Sequence, residues 1–212
     1  TSFGDYAFYF CSSLAQIEIP SSVTSFGKNT FAYCSSLEQI EIPSSVTSFG
    51  SQTFFYCESL KQVTIHASIT LISDNCFGNC TNLTEIIIPS SVTSIEKRSF
   101  QYCKSLKKII IPSSVTIIKD SAFDGCSSLS EVIFESPSSL RSIESYAFNN
   151  CSSLKQLTIP PLVQSIGSST FSLCSSLKQV IFEDPPAITA IQSQTFFECE
   201  KLEQVNIPPT VT

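Results

Sequence analysis

The chain has 212 residues but no methionine, a single histidine, and no apolar run of eighteen residues. The missing run excludes a membrane-spanning helix, and no basic start leads into a short apolar segment of the secretory kind. The chain also opens in mid-pattern at Thr1. We therefore expect an excerpt of a longer protein, so the missing leader says little about location. With one histidine, Ser-His-Asp or Cys-His chemistry would have to rest on His66 alone, and no Gly-rich phosphate loop is present. His66 reads as a surface residue standing where other copies of the pattern have proline. Paired C-x-x-C ligands are absent too, so neither metal nor cofactor is expected.

Basic charge is scarce. A net charge of −6 and a pI near 4.8 argue against nucleic acid as a partner, because such affinity comes from Lys and Arg neutralising phosphates. Lys97, Arg98, Lys104, Lys107 and Lys108 form the one local exception, and they read as a solvated face.

The sequence is rich in copies of itself. "CSSLEQIEIPSSVTSFG", Cys34 to Gly50, nearly repeats Cys11 to Gly27. Aligned cysteines fall at 11, 34, 57, 80, 103, 126, 151, 174 and 199, at intervals of 23 residues except for two of 25. Each has a Phe three residues before it and a Leu three residues after it. A fixed period of this length marks a solenoid, whose units bury their apolar side only against their neighbours. Apolar residues then alternate, as at Ile40 and Ile42 or Ile109 and Ile111, and the segment usually ends on Pro. That pattern predicts one short strand per unit, parallel to those of adjacent units, with one face buried. The following "SVTSIG" segment places a second apolar pair inward, as with Val92 and Ile95, and Phe-x-x-Cys closes the unit with about one turn of helix.

The unit "LKKIIIPSSVTIIKDSAFDGC", Leu106 to Cys126, resembles the BspA-like leucine-rich repeats, and the resemblance runs from about residue 3 to the end. Departures are modest: His66, Glu135 and Glu183 replace the exit Pro, and Glu96, Lys119 and Glu144 stand at a usual Gly. The resemblance implies an α/β right-handed leucine-rich-repeat solenoid of about nine units, a single domain over residues 1–212. Parallel strands would line its concave face, with 3-10 or helical pieces on the convex side. It further implies a non-enzymatic, protein-binding domain displayed on a cell surface or secreted, adhering to host or matrix proteins. An intracellular scaffold or sensor is the alternative.

Equivalent cysteines of adjacent units stack about 5 Å apart with their Cβ atoms pointing the same way, which disfavours disulfides. They read as buried free thiols, and the tenth, Cys76, occupies a site that holds Ala or Thr elsewhere. Function is then expected on the outward strand positions. Ile87, Ile110 and Ile133 form an apolar stripe there, edged by Glu85, Lys108 and Glu131. The two longer units supply a second candidate, acidic edge loops with Glu135, Glu183 and Asp184. Asn79, Asn82 and Asn150 begin N-x-S/T sequons and are possible glycosylation sites on the turns.

Overall fold

The computed structural model describes all residues, 1–212. Most units contribute two parallel strands where the sequence suggested one. The long strands carry the alternating segment and form three sheets in chain order: Gln39–Ile42, Gln62–Ile65 and Glu85–Ile86; Lys108–Ile111 and Glu131–Phe134; Gln156–Ile159, Gln179–Phe182 and Gln204–Val205. The second strand is the two-residue piece, most often Ser-Ile or Ser-Phe, at the place of "SI" in the "SVTSIG" segment. Such pieces form one sheet over Ser2–Phe3, Ser25–Phe26 and Ser48–Phe49, and another from Leu71–Ile72 to Ser165–Ile166. Sequence alternation hides this second strand because two residues are too few to show a period. The stacking of units gives it away instead, pairing Ser2 with Ser25 and Ile118 with Ile143.

The expected helical piece is absent, and the fold is an all-β parallel solenoid rather than α/β. The reason lies in how the Phe-x-x-Cys turn divides its N–H groups. In the turn closed by Cys11, Tyr6, Phe8 and Phe10 donate to the next unit's Lys28, Thr30 and Ala32 carbonyls, while Ala7, Tyr9 and Cys11 donate three residues back within the turn. A helix needs every N–H for its own carbonyls. Here every second one is spent on the neighbouring unit.

The alternation requires left-handed backbone at two places per turn, five residues and one residue before each cysteine. All eighteen such positions, seventeen non-glycine residues and Gly125, have φ between 52° and 71°. A side chain in that region costs on the order of 1–2 kcal/mol. The cross-unit bonds offset it: only 16 of 116 backbone bonds lie within strands, so turns and loops carry most of the cohesion. Copied polar residues add to this, since Ser45, Ser91 and Ser114 Oγ donate to the Val23, Ile69 and Val92 carbonyls of the preceding unit.

Inside, the columns fill a continuous core. The Phe rings from Phe8 to Phe196 stack with centroids 5.1–5.9 Å apart and planes within 3–16° of parallel, inside the favourable range for stacked rings. Each column thiol from Cys34 to Cys199, Cys76 lying outside the column, donates to the carbonyl of the preceding unit's Phe, at 3.0–3.3 Å. The cysteines are free; Cys11 is exposed and the others, Cys76 included, are buried. The column thiols from Cys34 onward are thus hydrogen-bonded as well as packed, a role beyond that of a small apolar residue.

Replacing Phe100 by Ala removes one ring from an unbroken stack and is expected to cost about 3–5 kcal/mol, read as a lower midpoint in guanidinium unfolding; Phe100→Leu costs less.

Burial pushes the thiols up, Cys34 and Cys199 to about 11 and Cys57, Cys103 and Cys151 well above the ordinary range. The folded chain then holds protons that the unfolded chain releases above about pH 8.5. The resulting stability is intact below that pH and falls as pH rises toward the folded values. Two measurements follow: at pH 8 a thiol reagent modifies Cys11 rapidly and all ten cysteines only after unfolding, and thermal midpoints fall progressively above pH 8.5.

Candidate functional site

Because the columns Phe, Cys, Leu, Val and Ile are committed to the interior, side chains free to meet another molecule lie on the outer face of the long strands, on the loops that leave them, and on the turns. The predicted stripe is on the first of these. Ile110 lies directly opposite Ile133, and Lys108 opposite Glu131, in one two-stranded sheet. Lys108 Nζ is 3.1 Å from Glu131 Oε2. Ile110 is 42% exposed and Ile133 half-buried. Glu85 belongs to the neighbouring sheet. Its strand ends at Ile86, so Ile87 stands beyond the paired backbone and is 82% exposed. The six residues therefore share a face, but the structure ties only four of them together.

The same face is polar toward the N-terminal units. There Gln16, Gln39, Gln62, Glu18, Glu41 and His66 line an open hollow of about 1140 Å³. His66 is exposed, with Nε2 2.8 Å from Glu41 Oε1. No group of three or more His, Cys, Asp or Glu side chains is placed to hold a metal ion. The five basic residues do not form one patch. Lys97 and Arg98 lie at the start of the Phe100 turn, whereas Lys107 immediately precedes and Lys108 begins a long strand, and two of the five are engaged, Lys97 with Asp120 at 3.5 Å and Lys108 with Glu131.

Glu135, Glu183 and Asp184 are exposed on the loops leaving two long strands. Asn82 and Asn150 are exposed, while Asn79 is half-buried; Asn79 and Asn150 occupy the left-handed position before a cysteine.

The turns carry a feature that the sequence reading missed. Phe10, Tyr33 and Tyr56 stack at 4.5 and 5.1 Å along the outside of the first three units. Phe55 stands edge-on to both Tyr33 and Tyr56, at 5.8 and 4.6 Å, and the partial burial of this cluster, together with Tyr9 and Tyr56, pushes the Tyr33 phenol up. The signal was present: the residue just before the cysteine is aromatic in units one, two, three and five.

With this geometry in view, the comparisons are consistent. The sequence model described as "BspA type Leucine rich repeat region (6 copies)" matches residues 1–130 and again 93–212. The chain belongs to the BspA-type leucine-rich repeat family. Among solved structures it is similar to the leucine rich repeat protein of T. pallidum, at 26% identity and a TM-score of 0.66, over 84% of this chain and 71% of that one. It is also similar to a leucine rich cell surface protein of Faecalibacterium prausnitzii, at 25% identity and a TM-score of 0.50, over 100% and 78% of the two chains. The pneumococcal vaccine antigen PcpA shares the fold at 18% identity and a TM-score of 0.52; this chain aligns over 89% of its own length and spans 65% of that protein. A comparison with curated proteins gave no match. No helix is long and apolar enough to cross a membrane.

Lys108 and Glu131 are about half exposed, so solvent screens their attraction. A double-mutant cycle with Lys108→Ala and Glu131→Ala is expected to give a coupling below about 1 kcal/mol in chemical unfolding, leaving both side chains available to a partner.

Proposed function

We propose that this chain is a non-enzymatic, protein-binding repeat domain of a cell-surface protein, and that it adheres to a host or extracellular-matrix protein through the concave outer face of its long strands. The observation that carries this reading is the apolar stripe on a surface the fold does not need to bury: Ile110 and Ile133 in register, Ile87 beside them, edged by Glu85, Lys108 and Glu131. Apolar centres with charged rims are the composition of protein interfaces. The description of the F. prausnitzii relative as a cell surface protein supports the setting. On such a surface Asn82 and Asn150 are accessible acceptors for a glycan if the chain is made in a eukaryotic secretory pathway, and Asn79 is less so.

A second reading, an intracellular scaffold or sensor using the same face, is favoured by one observation, the column of free thiols. Labelling intact source cells with an antibody to this domain separates the two locations.

The binding proposal is tested with Ile87→Ser, Ile110→Ser and Ile133→Ser combined, against a panel of immobilised, purified extracellular-matrix proteins in surface plasmon resonance. The wild-type domain is expected to bind at least one of them, and the triple variant to lose at least about tenfold in affinity with an unchanged circular dichroism spectrum. A folded triple variant that binds as well as wild type removes the stripe from the interface.

A further inference from the structure

Both longer units place their two extra residues in the same loop. The units beginning at Cys126 and Cys174 leave their long strands through Glu135-Ser136-Pro137-Ser138 and Glu183-Asp184-Pro185-Pro186, while the unit between them turns at once through Pro160 and Pro161. Backbone bonds fix both loops. Glu135 N donates to the Ile111 carbonyl and Ser139 N to the Ser113 carbonyl, each at 3.0 Å; Glu183 N and Ala187 N donate to the Ile159 and Pro161 carbonyls, also at 3.0 Å. The loops therefore stand as walls on either side of the shorter unit. With parallel strands about 4.8 Å apart, the walls are roughly 10 Å from each other.

Between them lies a hollow of about 650 Å³. Its floor is Pro160, Pro161 and Leu162, the last 43% exposed. Glu135 and Glu183 line it from opposite sides, Asp184, the residue after Glu183, is exposed outside the lining, and Lys155 is the sole cation in the lining. None of these three carboxylates is in an ion pair. Glu135 Oε2 accepts a hydrogen bond from Ser113 N at 3.2 Å, which helps hold that side chain along its wall.

We propose that this notch is a second binding site, and that it takes an extended segment of a partner protein in which an apolar side chain is flanked by Lys or Arg. The apolar side chain covers Leu162 and the prolines. The flanking cations reach the two walls, and about three residues of extended chain span the distance between them. An acidic segment is repelled by both walls, and a neutral apolar one engages only the floor. The site adjoins the isoleucine stripe, sharing Glu131 and Ile133, but does not depend on binding there.

The test is to select a displayed library of random 12-residue peptides on the folded domain at physiological salt, then to measure the selected peptides by fluorescence anisotropy. Enrichment of basic-apolar-basic sequences is expected. Their affinity should weaken at least about tenfold in Glu135→Gln/Glu183→Gln/Asp184→Asn and in Leu162→Ser, yet change less than about twofold in Glu18→Gln/Glu41→Gln at the other end of the same face. The combined Ile87→Ser/Ile110→Ser variant, which leaves the shared Ile133 in place, should retain the peptides, which keeps this proposal distinguishable from the preceding one. Enrichment of peptides without basic residues, no enrichment at all, or equal binding to the wall variant overturns it. Equal weakening by Glu18→Gln/Glu41→Gln also overturns it, because net charge and not the notch would then explain the binding.

Discussion

Every second N–H of the cysteine turn is given to the neighbouring unit, and the rest of the structure depends on that allocation. It forces two left-handed residues into each turn, excludes a helix, and sets the spacing between units at a value where Phe rings can stack. It also leaves the Phe carbonyl available to two donors, the cysteine N–H of its own turn and the thiol of the next unit. A larger apolar residue at the cysteine position would crowd the Phe column, and alanine would leave that second interaction unmade. Cysteine is small enough to fit and carries a proton to donate. Its repetition is therefore a matter of packing and hydrogen bonding, with no redox chemistry required.

This cohesion is local and one-dimensional, so a unit tolerates change wherever the change does not touch its two neighbours. The chain uses that freedom unevenly. Columns facing inward vary within one chemical type, whereas the outward strand positions run through Glu, Thr, Ile and Asn. Polar residues that look free in the sequence are not all so. Thr47, Thr93 and Thr116 Oγ1 donate to the carbonyls of Thr24, Thr70 and Thr93 one unit back, each at 3.1 Å. Such threonines, bonded to the carbonyls that join unit to unit, belong to the scaffold, whereas an exposed ion pair such as Lys108 with Glu131 leaves its side chains at a ligand's disposal.

The architecture was legible from the sequence because period is a long-range signal repeated nine times, and errors in one copy are corrected by the others. The period-two alternation at Ile40 and Ile42 or Ile109 and Ile111 located the long strands, and Val92 and Ile95 were placed inward, where both are fully buried. What failed was local. The turn looked helical because Phe-x-x-Cys puts apolar residues three apart, a spacing that tight non-helical turns share. The left-handed pairs carry no glycine signature, since seventeen of the eighteen are occupied by other residues. The aromatic stack before the cysteines was overlooked because it is a column across units, invisible when each unit is read along its own length.

Rigidity bears on what such a surface can bind. A partner that docks on hydrogen-bonded parallel strands does not have to order them first, so less of its contact energy is lost to conformational entropy. The stripe and the notch use this differently. The stripe offers an apolar area without walls, on which affinity must come from surface burial and fit. The notch offers a floor between two walls held by backbone bonds, on which charge spacing can select among partners before much area is buried. In a solenoid the second kind of site needs only a change in loop length in two units flanking an unaltered one, because the intervening unit keeps its place in every interior column. Two insertions placed two units apart can thus create a recess while the interior columns run on through the unit between them, a route to specificity that a closed globular core does not offer.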